Sequence, residues 1–297
     1  MRIKTILLFC LIMCLTVTIA IAQRRGSPFQ RGGGRSSLYG GSSFQRGQSF
    51  RRTQPTLRSE FQTWEIDPEF EDDVFTFVRI EYDSSRSVGF WDSWDNDFPD
   101  ADWNFSYRLQ QLTSLNVSPD NKLMRLTDSE LASYPFIYMS GVQKMVLRPE
   151  EQTALRKYLL NGGFVMMSDF WNPDGWYHVR NQMRAVFPDR EPVELTLDHP
   201  IFHFVFDLKE LPQITDIQTW IRGQSFEYDH GSSRGDEAPH FWSYFDDKGR
   251  MVALLCHNND LGDGWEREGE NKDYFTECSE KYSYPMGINI ITYVLTH

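Results

Sequence analysis

The sequence predicts an α/β fold: a mostly parallel sheet flanked by helices, with antiparallel additions towards the C-terminus. Three observations carry this. From Glu60 onward, short runs rich in β-branched and aromatic residues alternate with amphipathic helical patterns, the signature of a sheet covered on both faces. Residues 163–168, between the helix at 149–160 and the one at 174–187, read as a buried strand. Late in the chain, Asp246-Asp247-Lys248-Gly249 separates two such runs as a hairpin turn, which adds antiparallel pairing.

Taken in order, residues 74–80 (Val-Phe-Thr-Phe-Val-Arg-Ile) read as the first strand. A helix is expected over 103–115, with Tyr107, Leu109, Leu112 and Leu115 on its apolar face and Asp102 as its cap. Residues 123–126 form a short second strand, and Thr127-Asp128-Ser129-Glu130 reads as a capping box opening a brief helix. Residues 134–139 supply the third strand. The best-defined helix spans 149–160: Pro149 starts it, Ala154, Leu155, Tyr158 and Leu159 form its stripe, and Asn161-Gly162 stops it. Residues 163–168 are a buried fourth strand that delivers Asp169 at its C-terminal end, and 174–187 are a helix closed by Pro188. Strands are expected at 214–221, 241–245 and 251–256, and a last helix at 285–295.

Ahead of this domain (60–297), residues 1–22 read as a secretory signal: Arg2 and Lys4, an apolar run to Ile19, then a small-x-small site ending at Ala22. The run is too short to span a bilayer. The expectation is an exported protein, periplasmic or extracellular, with no transmembrane helix after cleavage. Residues 23–59 are a Gly/Ser/Arg/Gln-rich linker in which Phe-Gln-Arg-Gly occurs at Phe29 and again at Phe44. Ten of the 30 Lys and Arg precede Glu60, whereas all 42 Asp and Glu lie from Glu60 onward, so the domain is strongly acidic and the linker basic. Nucleic acid is excluded as a partner of such a domain, since its binding rests on phosphate neutralisation. The linker suits contact with an anionic surface. Cys256 and Cys278, the cysteines beyond the signal, permit one disulfide or two free thiols.

The stretches 75–82, 97–102, 107–109, 158–164 (Tyr-Leu-Leu-Asn-Gly-Gly-Phe), 198–202 (Asp-His-Pro-Ile-Phe), 256–258 with 262–266 (Gly-Asp-Gly-Trp-Glu), and 284–289 together resemble a family of bacterial exported proteins known as domain of unknown function 4159. The resemblance spans about 73–297. It implies an amidotransferase-like, flavodoxin-like scaffold of the class I glutamine amidotransferase group. Such enzymes carry a nucleophilic Cys at the turn after the fourth strand. Here Ser168-Asp169-Phe170-Trp171 stands there, so cysteine-dependent amide hydrolysis at that turn is excluded.

Ligands of open α/β sheets bind beyond the carboxyl ends of the strands, which directs attention to residues that follow strands. Asp83, Ser140, Asp169 and His257 are placed this way. Ser140 lacks the Gly-x-Ser-x-Gly elbow of a nucleophilic serine. Asp169 suits a general base, an orienter of His, or a helix cap; with His257 it makes the candidate catalytic pair. The 257–266 loop brings Asp260, Asp263 and Glu266 together with an imidazole, a hard-cation donor set for Ca²⁺ or another divalent metal, although without EF-hand spacing; a surface Asx-rich turn is the competing reading. His199 and His203 are four apart, but Pro200 breaks the helix a metal pair needs. Trp91, Trp94, Trp171, Trp176 and Trp265 fall near strand ends, among carboxylates and amides. They serve either a sugar-stacking cleft for a carbohydrate or envelope component, with Asp83, Trp91, Ser140, Trp171 and Trp265 as ligand-binding residues, or a cover for the sheet ends. No phosphate loop is present. The first reading is a non-catalytic ligand-binding or interaction module of the envelope; the alternative is a metal-assisted hydrolase of glycans or cell-wall peptides using Asp169 and His257.

Overall fold

Alternating strands and helices assemble into one seven-stranded mixed sheet in the computed structural model, which describes residues 57–70, 73–85, 94–228 and 233–297. The expected signal, the linker up to residue 56, and Trp91 lie outside these residues. At the linker's end, Arg58 opens a 3₁₀ turn (Arg58–Glu60) and binds Asp120 at 3.0 Å and the Pro119 carbonyl at 2.7 Å.

The strands are β1 (Val78–Ile80), β2 (Asp83–Ser84), β3 (Lys122–Met124), β4 (Phe136–Met139), β5 (Met145–Val146), β6 (Phe164–Met167), β7 (Val193–Leu195), β8 (His240–Phe245) and β9 (Met251–His257). The helices are α1 (Asp100–Leu112), α2 (Pro149–Leu160), α3 (Asn172–Val186), α4 (Ile217–Ile221), α5 (Asp263–Glu266), α6 (Lys272–Tyr274) and α7 (Tyr284–Thr296). The main sheet runs β3-β1-β4-β6-β9-β8-β7, parallel through β9 and antiparallel for the last two pairings. Its first five strands follow the 2-1-3-4-5 order of doubly wound sheets, whose ligand crevice lies where connections leave in opposite directions. Here that point falls between β1, which leads to β3, and β4, which leads to β6.

The continuous apolar runs are divided between two layers with period two. Phe77, Phe136, Tyr138, Phe164, Met166, Leu254 and Cys256 face α1 and α7. Val78, Ile80, Ile137, Met139, Val165, Met167, Ala253 and Leu255 face α2 and α3. Both cysteines are free and buried in the first layer. No described helix is long and apolar enough to cross a membrane.

Several local expectations change. Residues 214–221 are not a strand: the Asp216 carboxylate accepts from the Gln218 and Thr219 amides and starts α4, a local cap overriding β-branched propensity. The capping box at Thr127 does not form, because the Asp128 carboxylate turns back to the Arg125 amide at 2.8 Å and a 3₁₀ turn follows. Asp102 is no cap either; it is fully buried inside α1, where it meets Arg79. The last helix is preceded by a π-helical stretch, Phe275–Ser283, that ends just before Pro285, a residue with no N–H for the carbonyl four back.

Candidate functional site

Four connections meet at the carboxyl edge of the parallel strands. Leaving β6, Asp169 takes a left-handed conformation (φ 57°), as do Asn172 (66°), Asn258 (55°) beyond β9 and Asp97 (60°) before α1. Non-glycine residues held there cost energy that the surrounding structure must supply. Much of that support is a lattice between the β6 and β9 loops. The Asp169 amide donates to the Asn259 carbonyl and the Asn258 amide to the Phe170 carbonyl. Ser168 Oγ donates to the Asn259 carbonyl at 3.2 Å and accepts from the Leu261 amide at 3.2 Å. Asn259 clamps residue 214 with its Oδ1 and residue 212 with its Nδ2. The 257–266 loop is therefore largely an interior staple and not a surface Asx-rich turn; Asn258 and Asn259 are fully buried.

Onto this frame converge Asp97, Asp169, Glu227, Asp260, Asp263 and Glu266. One carboxylate oxygen each of Asp97, Asp260 and Asp263 lie within 4.8 Å of one another. Asp260 Oδ1 also accepts from the Gly262 amide at 2.9 Å. Burial, and then the neighbouring carboxylates, push Asp97, Asp260, Asp263 and Glu227 well above the usual carboxylate range. Glu266 lies 2.5 Å from Arg267 Nε, and among the described residues no salt bridge reaches Asp97, Asp260 or Asp263. Asp97 is delivered by Arg79, a fully buried guanidinium on β1 that binds Asp102 at 2.5 Å and the carbonyls of Trp94 and Asn96 at 3.0 and 2.8 Å.

Asp169 accepts from Asn96 Nδ2 at 2.7 Å and Trp171 Nε1 at 3.2 Å. His257 stands at the same edge, at the end of the neighbouring strand β9, but points elsewhere: its Nε2 donates to the Asn172 carbonyl at 3.0 Å, and the ring stacks on Phe170 and His240. Burial lowers its pKa to about 4, so it is neutral at physiological pH. Ser140 is fully buried, with Oγ making no hydrogen bond while its carbonyl accepts from Tyr82 Oη at 2.5 Å. Trp171 is buried edge-on to Phe226.

Trp265 is 1 % exposed and packs against Phe105 and Tyr138 in the core. Asp83 lies apart on the small β2–β5 sheet and pairs with Arg125 at 3.1 Å. Burial raises both thiols, Cys278 to about 12, so neither is an activated nucleophile. His199 caps a 3₁₀ turn and His203 pairs with Asp207 at 2.6 Å. An open depression of about 720 Å³, lined in part by Asn161, Lys248 and Arg250, lies at the opposite end of the sheet from Asp169, His257 and the Asp trio.

The sequence brings Asp260 and Asp263 to notice, but Asp97, Glu227 and Arg79 go unremarked there. The signal for one of them is present: a lone Arg in the run Val78-Arg79-Ile80 demands a buried acid. Nothing local marks Asp97 or Glu227.

Strand order and side-chain placement define a doubly wound α/β protein with a carboxylate cluster near its topological switch point. The chain belongs to the family described as Domain of unknown function (DUF4159), whose profile matches residues 76–295. No curated protein matches it.

Proposed function

We propose that this chain is an exported binding module of the cell envelope, on an amidotransferase-like scaffold, that holds a polyhydroxylated ligand such as a glycan at the carboxyl edge of its sheet. One observation carries the reading: Asp97, Asp169, Glu227, Asp260 and Asp263 converge there while the groups that would do chemistry are committed elsewhere. Carboxylates accept hydrogen bonds from hydroxyls, and Trp94 and Trp176, half-buried against the core with Trp176 stacked on Trp242, are the rings this reading offers to a sugar. The imidazole of His257 is spent on a carbonyl, Ser168 Oγ on the loop lattice, and both thiols on the core. So dense a set of carboxylates repels anions, which favours neutral or amine-bearing sugars.

The test is thermal unfolding of the full chain against a panel of envelope glycans and amino sugars, with Asp169→Asn as control. A ligand that binds only the folded state raises the midpoint. A shift abolished in Asp169→Asn supports the reading, and a flat panel refutes it. The second reading, a metal-assisted hydrolase, draws on Asp169 and His257 closing neighbouring parallel strands at one edge. Turnover of glycan or cell-wall peptide substrates, lost in Asp169→Ala, would establish it in place of the first.

A further inference from the structure

We propose that Asp97, Asp260 and Asp263 form a site for one divalent cation of the hard, oxygen-preferring class, best matched by Ca²⁺. The inference rests on reading the carboxyl edge as the ligand site and names the ion at its centre. One oxygen from each of the three residues lies within 4.8 Å of the others. Oxygens bound to one Ca²⁺ at about 2.4 Å are at most about 4.8 Å apart, so the trio is within reach of one ion; a set of three carboxylates suits Ca²⁺, whereas Mg²⁺ is usually held by one or two and keeps several waters.

A second observation, independent of the carboxylates, points to the same place. Tyr138 is fully buried, and its hydroxyl makes no hydrogen bond. Ser140 Oγ lies close enough to interact with it, but the two do not reach hydrogen-bond geometry, and Ser140 Oγ has no other partner among the described residues. A Cβ added to Gly262 would fall 2.8 Å from Tyr138 Oη, 2.6 Å from Asp97 Oδ2 and 3.1 Å from Asp260 Oδ1, so all three oxygens converge on one spot beside the Gly262 backbone. Asp97 Oδ2 also makes no hydrogen bond. Buried polar atoms left without partners are costly, and a cation with its coordinated water would satisfy them together. Among the described residues, Arg79 and Arg267 act on Asp97 through charge but are bound elsewhere, Arg79 to Asp102 and two carbonyls and Arg267 to Glu266 and Glu270. Ca²⁺ takes about 6–8 oxygens, so three carboxylates leave positions that water or paired hydroxyls of a sugar can occupy.

The experiment is calorimetric titration of the EDTA-treated full chain with Ca²⁺ and, separately, Mg²⁺, alongside thermal unfolding. The expected result is a single Ca²⁺ site, stronger than that for Mg²⁺, and a Ca²⁺-dependent rise in the midpoint. Asp97→Asn should abolish both and raise the midpoint in EDTA by relieving repulsion. Gly262→Ala keeps every charge but forces a methyl among these oxygens; it should weaken Ca²⁺ binding by roughly the 10–100-fold seen when a residue supporting a metal ligand is lost. If Gly262→Ala does not fold, Asp263→Asn replaces it. No heat and no shift with Ca²⁺, or an effect that these variants retain, overturns the proposal. The two readings fail separately: a glycan shift that persists in EDTA, with no Ca²⁺ isotherm, removes the ion and leaves glycan binding. A Ca²⁺ isotherm with a flat glycan panel does the reverse.

Discussion

Replacing Arg79 with Leu removes the cation on which the Asp97 loop is hung. Arg79 and Asp102 are both 0 % exposed, joined at 2.5 Å through Nη2, with Nε 3.0 and 3.1 Å from the two carboxylate oxygens. The guanidinium also lies 4.9 Å from the centre of the Tyr138 ring and donates to two carbonyls. Without it, Asp102 keeps only Asn121 Nδ2, at 2.8 Å, as a side-chain donor among the described residues. Breaking one side of a buried pair costs about 3–5 kcal/mol, a large share of the roughly 5–15 kcal/mol that holds a domain folded. Equilibrium unfolding of the full chain in guanidinium should therefore show a midpoint far below that of the parent. In the double variant Arg79→Leu with Asp102→Leu the stranded charge is gone, so most of the loss should return, less about 1 kcal/mol for each orphaned carbonyl. A single variant that loses under about 1 kcal/mol, or a double variant no better than the single one, would refute this account of Arg79.

The remaining predictions use the same protein. His257 titrates at about 4 when folded against 6.5 when free, so protonation favours the unfolded chain. Its contribution is intact above pH 6.5 and is lost as pH falls towards 4, on the order of 3 kcal/mol at about 1.4 kcal/mol per unit. His240, stacked on the ring, and Asp236 nearby are the titratable neighbours of His257; His257→Gln should flatten this limb of the stability profile, and an unchanged limb would contradict it. Tyr138→Phe deletes a buried hydroxyl without a partner and should leave stability in EDTA equal or about 1 kcal/mol higher; a loss of that size would show that the hydroxyl is satisfied. Gly163→Ala would put a Cβ 2.3 Å from the Tyr158 ring, so the strand or the ring must move, and calorimetry should record a loss in the roughly 1–3 kcal/mol range of overpacking. Alkylation followed by peptide mass spectrometry should label Cys256 and Cys278 only in denaturant, and a 256–278 disulfide would contradict the free, buried thiols.

What the sequence discloses is what local chemistry decides. α2 has the bounds expected from Pro149 and from Asn161-Gly162, because its punctuation and stripe belong to its own twelve residues. The parallel core and the β8–β9 hairpin are legible for the same reason: strand runs, turn residues and two-sided burial leave marks within a few positions. β7 escapes notice as a three-residue edge strand with only Leu195 buried. α4 escapes because one capping aspartate outweighs the propensity of the residues it precedes.

The site divides along the same line. Asp169, His257, Asp260 and Asp263 stand out because they follow strands, and in a parallel sheet every such position lies at one edge. Their roles do not follow from that placement. Tertiary packing turns His257 onto a carbonyl, buries Trp265 in the core, sends Asp83 to an arginine and binds Glu266 to Arg267. It also carries Asp97 across the switch point to meet Asp260 and Asp263. Secondary structure is set by neighbours in sequence, and so the sequence alone determines an acidic, doubly covered α/β domain. Whether a carboxylate ends as a partner, a cap or an unmatched charge depends on groups contributed by distant segments, and only the folded chain decides that.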